Sequence, residues 1–174
     1  MKNEEEILES IEDLYTKLVQ ELYPQKRITT KPFPRIPYAE AMEKHQSDRP
    51  DLRENLEDPD ELAFAFVVDF PMFERLADGS LSAVHHPFTR PRVENVAELR
   101  SADPLAIRAH QYDFVLNGCE IGGGSIRSHD PAMLQAVFGV LGHSPEMVRQ
   151  KFGHLLEAFE YGVPPHGGIE PGID

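Results

Sequence analysis

Two carboxylates and an arginine stand in one glycine-rich stretch, Tyr112-Asp-Phe-Val-Leu-Asn-Gly-Cys-Glu-Ile-Gly-Gly-Gly-Ser-Ile-Arg127. Two acids at close range repel unless a cation lies between them or one takes up a proton. An arginine fork beside them would grip an anion. Whether they meet depends on Asn117-Gly118, a dipeptide that tolerates positive φ at both central positions of a type I′ hairpin turn. A two-residue turn there pairs Leu116 with Cys119, Val115 with Glu120 and Asp113 with Gly122. Alternation then puts Asp113, Val115, Glu120 and Gly122 on one face, with the acids as diagonal cross-strand neighbours. Arg127 falls on the opposite face by parity. A bulge within Gly122–Gly124 would return it, and glycine favours a bulge or a closely approaching ligand.

Other residues offer less. The same two acids also fit a pair of solvated sheet carboxylates, and pattern alone leaves both readings open. The glycine triplet matches neither Walker nor dinucleotide spacing, because it lies inside a strand. His85 and His86 are adjacent, so in a strand they face opposite ways and would not share one metal. Cys119 is the one cysteine, and without a Cys-x2-Cys or His-x3-His pattern it reads as a packing residue and not as part of a zinc site. The residues taken alone point to an oxygen-rich sheet face suited to magnesium, next to an arginine suited to an anionic substrate.

The elements that would carry this face follow from periodicity. Residues 3–23 read as an amphipathic helix with acids in its first turns, ended by Pro24. Residues 25–37 read as extended with a short edge strand, and Pro37–His45 as a short helix. Residues 46–62 are charged and aperiodic, a loop and a candidate junction. Ala63–Phe70 has the continuous apolar run of a central strand, and Leu81–Pro87 reads as a return strand carrying His85 and His86. Residues 88–103 read as loop, and Leu105–Gln111 as a short helix. Two helices follow, over 131–141 and from the Ser144-Pro145 start to Gly162. The sum is an α+β domain, an antiparallel sheet flanked by helices.

With 174 residues, 40% of them hydrophobic, the chain can bury a sizeable core. A formal charge of −13 opposes autonomous binding to nucleic acid. A charged, acidic N-terminus and the lack of a long apolar run imply no signal peptide and no membrane span, and with a single cysteine the expectation is a cytoplasmic protein.

Several blocks together resemble one family. Val67-Val-Asp-Phe-Pro-Met-Phe73, His85-His-Pro-Phe-Thr89, the Tyr112–Arg127 stretch and Tyr161-Gly-Val-Pro-Pro-His-Gly-Gly-Ile169 are similar, in order, to blocks of bacterial aspartyl-tRNA synthetase. Pro32-Phe-Pro-Arg35, Tyr38-Ala-Glu-Ala-Met42 and Ser47-Asp-Arg-Pro-Asp-Leu-Arg53 resemble the preceding part of the same catalytic domain. The resemblance covers nearly the whole chain and implies a partial class II synthetase catalytic fold over residues 1–174. It makes Asp113 and Glu120 the magnesium acids, with Glu120 also binding ATP. It assigns Arg127 to the side-chain carboxylate of L-aspartate, and His85 and His86 to the same amino-acid pocket. Gly172, Ile173 and Asp174 align with the start of the third signature motif, an ATP-binding element.

The activity implied is ATP-dependent activation of L-aspartate and its transfer to tRNA. The departures shape the expectation. The first and second class II motifs and the anticodon-binding domain find no counterpart in the sequence. It stops short of the third-motif arginine, and residues 54–62 bridge the place of an insertion domain. A catalytic-domain fragment is therefore expected, with negligible aminoacylation alone and tRNA reached only through other regions or a partner chain. Exposed sheet edges would favour a homo-oligomer or a companion fragment. A non-catalytic module binding aspartate or a companion fragment stands as the alternative, and an ammonia-dependent amide-forming ligase as a third.

Overall fold

Asn3 starts the first helix, α1 (Glu4–Leu22), with a reciprocal cap. Its side chain accepts from Glu6 N at 2.9 Å, and the Glu6 carboxylate accepts from Asn3 N at 3.0 Å. The helix buries Ile7, Leu8 and Val19 and ends at Tyr23, where Pro24 cannot continue it. This computed structural model describes residues 3–172, which divide into two compact units. One is built from residues 3–69, 111–125 and 167–172. The other comprises 70–110 and 126–166.

The first unit holds α1, β1 (Arg27–Ile28), β2 (Arg35–Pro37), α2 (Tyr38–His45), β3 (Glu61–Leu62), β4 (Phe64–Val68), β7 (Gln111–Leu116), the body of β8 (Cys119–Ile126) and β9 (Gly167–Pro171). Five strands form a sheet in the order β2-β4-β7-β8-β9. The β4–β7 and β7–β8 pairs are antiparallel. At one edge β2 pairs with β4 in parallel, because α2 and residues 46–62 make the long crossover a parallel return requires. The β4, β7 and β8 pairings give the antiparallel sheet expected from the sequence, and this edge is its parallel exception.

One face of the sheet is aromatic. Phe114 on β7 stacks on Phe64 and Phe66 of β4, and Phe33 stacks on Phe64 and Phe114 and tilts against Phe66, at centroid distances of 4.7 to 6.2 Å, while Tyr15 of α1 meets Phe114 edge-on at 4.8 Å. Each such pair adds about 0.5–1.5 kcal/mol beyond its burial. Alternation sends Ala65, Val67, Gln111, Asp113 and Val115 to the other face, where the polar residues lie.

The charged segment 46–62 is tied down locally. Glu61 is 2% exposed and accepts from Glu54 N at 3.0 Å and Asn55 N at 3.2 Å, while Arg27 Nη2 lies 3.7 Å from it. Asn117, at φ 51°, accepts from Ala63 N at 2.8 Å and donates to Glu61 O at 2.9 Å. Hydrophobic periodicity has no access to a two-residue strand held this way, so β3 went unread. Asn117→Ala is expected to lose both bonds and strain a left-handed backbone, lowering stability by roughly 2 kcal/mol in urea denaturation.

The second unit carries β5 (Phe73–Arg75), β6 (Leu81–Ala83), α3 (Val96–Ser101), α4 (Pro131–Val140) and α5 (Pro145–Glu160). Side chains of Asn95, Asp130 and Ser144 cap the three helices. Met72, Phe73, Leu99, Ile107, Met133 and Val137 form one core cluster. Leu134, Phe138, Val148 and Leu156, joined by Phe88 and Phe152, form another. The return strand stops at Ala83, so His85 and His86 follow it in irregular backbone, not in a strand. Only Leu99 of α3 is buried, too little periodicity for sequence to show a helix inside 88–103. Pro104–Ala106 is one 3-10 turn where a helix to Gln111 was expected.

Candidate active site

The hairpin turn forms as read, with Asn117 at φ 51° and Gly118 at φ 80°. Leu116 pairs with Cys119 and Val115 with Glu120. The register then slips. Phe114 pairs with Gly122 and Asp113 with Gly123, leaving Ile121 as the extra residue. The bulge therefore precedes the glycine triplet instead of falling within it, and the expected Asp113–Gly122 pairing is replaced by Asp113–Gly123. With Ile121 stepped over, Gly123 and Ser125 share the face of Glu120 and Asp113.

That slip sets Gly123 between the two acids. The position a Cβ on Gly123 would take lies 3.1 Å from Glu120 Oε1 and 3.3 Å from Asp113 Oδ1. Asp113 is 4% exposed and Glu120 is exposed, so the pair joins a buried floor to an open rim. Gln111 Nε2 donates to Asp113 Oδ1 at 3.1 Å and orients the buried carboxylate. A divalent cation fits this cradle: Gly123 leaves the gap open, both donors are hard oxygens, and two carboxylates are the share magnesium usually takes from protein. Gln111 escaped the sequence reading, although its parity with Asp113 was the available signal.

Gly124 faces the opposite way. A Cβ there would lie 2.6 Å from Tyr112 Cε2 and 2.8 Å from Ile169 Cα, and the Tyr112 hydroxyl donates to Gly168 O at 2.9 Å. The triplet thus has two jobs, an open cradle at Gly123 and close passage of β9 at Gly124. Gly172 continues this edge, its N donating to Ile121 O at 2.8 Å. Ile173 and Asp174 lie outside the described residues.

In the other unit, Arg127 leaves β8 with its N donating to His166 O at 2.9 Å and its backbone bridged to Thr89. Its guanidinium packs on His86, Nη1 lying 3.1 Å from Nδ1 and also touching Nε2. Arginine only donates, so the imidazole accepts and must be neutral. Burial first, then the Arg127 and His85 charges, push the His86 pKa below its usual range. Thr89 Oγ1 sits 3.3 Å from His86 Nδ1. Arg127 takes part in none of the ion pairs among the described residues, so its charge faces an uncharged ring. His85 is exposed, its ring edge-on to Phe70 at 4.9 Å.

The low pKa sets a sign. Folding disfavours protonated His86, so this contribution to stability is complete above the ordinary histidine pKa of about 6.5 and is lost as pH falls through the depressed folded value. His86→Gln, which cannot take up a proton, should shrink the fall in Tm between pH 7 and pH 5 relative to wild type. Parallel Tm profiles for the two proteins would contradict it.

Residues 1–174 match the family model described as tRNA synthetases class II (D, K and N). A relative from Moorella thermoacetica, Aspartate--tRNA(Asp/Asn) ligase, is 54% identical over 123 residues, which are 70% of this chain and 20% of that protein. Aspartate--tRNA ligase of Phocaeicola vulgatus is 50% identical over 120 residues, 68% of this chain and again 20% of the relative. The matched part thus spans about a fifth of these relatives' length. Among solved structures, the aspartyl tRNA synthetase of Entamoeba histolytica superposes with a TM-score of 0.64 at 20% identity, covering 99% of this chain and 36% of that one. An asparaginyl-tRNA synthetase from Pyrococcus horikoshii gives 0.61 at 22%, covering 98% and 41%. At these identities the superpositions establish the class II fold.

Proposed function

The chain belongs to the class II tRNA synthetases (D, K and N), and on that footing we propose that it forms the part of an aspartate–tRNA ligase catalytic domain that holds L-aspartate and magnesium-ATP. The observation that carries the choice of aspartate is Arg127, a cation set against a neutral imidazole instead of a carboxylate. Such a guanidinium keeps its charge and its donors for an incoming carboxylate, which it can grip through two parallel bonds. His86 backs it and supplies no competing charge, while His85 reaches solvent beside Phe70 and serves the amino-acid pocket.

Asp113 and Glu120 would hold magnesium, and Gly172, Ile173 and Asp174 would contribute to ATP binding. The metal, when bound, would draw charge from the phosphoryl oxygens. In the whole ligase an aspartate carboxylate oxygen bonds to the α-phosphorus as the bond to pyrophosphate breaks, and the aspartyl group then passes to tRNA. The chain's own work in that sequence is orientation and charge. Arg127 fixes the side-chain carboxylate so that the α-carboxylate is the nucleophile, and Gln111 keeps Asp113 turned toward the cradle. Residues 1–174 act as one part of that catalytic domain with a junction at about 54–62, and the surroundings are cytoplasmic.

Calorimetric titration with L-aspartate, L-asparagine and L-lysine tests the reading. Saturable binding of aspartate, with lysine inert, is expected. Lysine binding, or equal heats for all three, would overturn it.

A further inference from the structure

Beside the acid pair are two polar atoms that nothing satisfies. Four buried side-chain polar atoms lack a hydrogen-bond partner among the described residues: Arg35 Nε, Gln111 Oε1, Ser125 Oγ and His129 Nδ1. Two of these belong to one place. Gln111 and Ser125 are direct cross-strand partners on β7 and β8, 5% and 1% exposed, on the face that carries Asp113. An unpaired buried polar group costs about 1–3 kcal/mol, so two side by side mark a site that a ligand completes.

The chemistry of that ligand follows from what is already used. Gln111 Nε2 is committed to Asp113 Oδ1, the oxygen 3.3 Å from the Gly123 cradle. That bond fixes the amide, so Oε1 is left as an acceptor, and the Ser125 hydroxyl beside it can accept as well. What Gln111 Oε1 lacks is a hydrogen-bond donor, and the Ser125 hydroxyl can accept from the same one. A carboxylate or phosphate donates nothing. Water on a divalent cation donates strongly, and magnesium keeps several waters when protein supplies two carboxylates.

We propose that Gln111 and Ser125 are positioning residues for the cation of Asp113 and Glu120, accepting hydrogen bonds from its bound water and so fixing where the ion sits. The inference rests on the metal reading above and extends it to two neutral side chains. Outer partners of this kind tune affinity through orientation and add no charge. Their burial also explains why the polar row runs inward from Glu120 at the rim to Ser125, beyond what two ligating acids alone would need.

Manganese alone, titrated into the chain and followed by water-proton relaxation, tests this on wild type, Asp113→Asn, Gln111→Leu, Ser125→Ala and Ser125→Thr, with thermal melts of each in chelator. Gln111→Leu and Ser125→Ala should each weaken manganese binding about tenfold, within the range of roughly 10–100-fold seen for such outer partners. Their metal-free melting should hold or rise, since an orphaned group has been removed. Ser125→Thr, which keeps the hydroxyl, should bind like wild type. Unchanged affinity in Gln111→Leu and Ser125→Ala, with Asp113→Asn still impaired, overturns the inference alone and leaves the pair holding a structural water. No manganese binding by wild type, or equal binding by Asp113→Asn, removes the metal reading and the inference with it.

Discussion

Gly124→Ala is expected to cost about 3 kcal/mol or more and to release β9 from the sheet, because overpacking against atoms that cannot rotate away lies at the upper end of its usual range. The added methyl would meet Gly168 O, Tyr112 Cε2 at 2.6 Å and Ile169 Cα at 2.8 Å, and two of those three atoms are backbone of β9. Moving β9 would also break the Tyr112 hydroxyl bond to Gly168 O, worth about 1 kcal/mol. The neighbouring Gly123→Ala should behave differently. Its methyl meets only the ends of Glu120 and Asp113, at 3.1 and 3.3 Å; the exposed Glu120 can swing aside, and Asp113 need yield only slightly. Stability should change by less than about 1 kcal/mol while manganese binding falls at least tenfold, the cradle now being occupied. Urea denaturation of both variants checks the contrast. Equal losses of stability would show that the triplet has one role, close packing.

Arg127→Lys should weaken L-aspartate binding by about 100-fold although the charge is kept. A guanidinium offers two parallel charge-assisted bonds to a carboxylate, each worth about 1.5–3 kcal/mol, and a lysine ammonium on its flexible stem supplies one at best. The guanidinium it replaces rests against His86, a contact the lysine ammonium does not reproduce, while the backbone bridge to Thr89 is kept. Circular dichroism should show no change of fold. Wild-type affinity in Arg127→Lys would reduce the arginine to a generic positive charge and weaken the case for aspartate.

Much of the hairpin's geometry is legible in the sequence. The Asn117-Gly118 turn, the Val115–Glu120 pairing and the approach of Asp113 to Glu120 all follow from turn chemistry and a period of two. The resemblance of ordered sequence blocks named the residues around them. What could not be read was the place of the slip. Sequence favours the glycines, yet the bulge takes Ile121, since Gly123 and Gly124 are held in register by the cradle on one side and β9 on the other. The His85-His86 pair was assigned to a strand that ends at Ala83, so parity gave no guidance to their facing, and the neutral state of His86 needed the Arg127 contact to be seen. Gln111 was missed for a simpler reason: glutamine carries no charge and no motif marks it.

The most direct test is carbon NMR of L-aspartate labelled at its side-chain carboxylate, titrated with the chain and with Arg127→Ala. With wild type, the labelled resonance should shift and saturate; with Arg127→Ala it should stay at its free position over the same range. An identical saturable shift with both proteins would contradict the assignment of Arg127 to the aspartate side chain, and with it the proposed identity of the substrate.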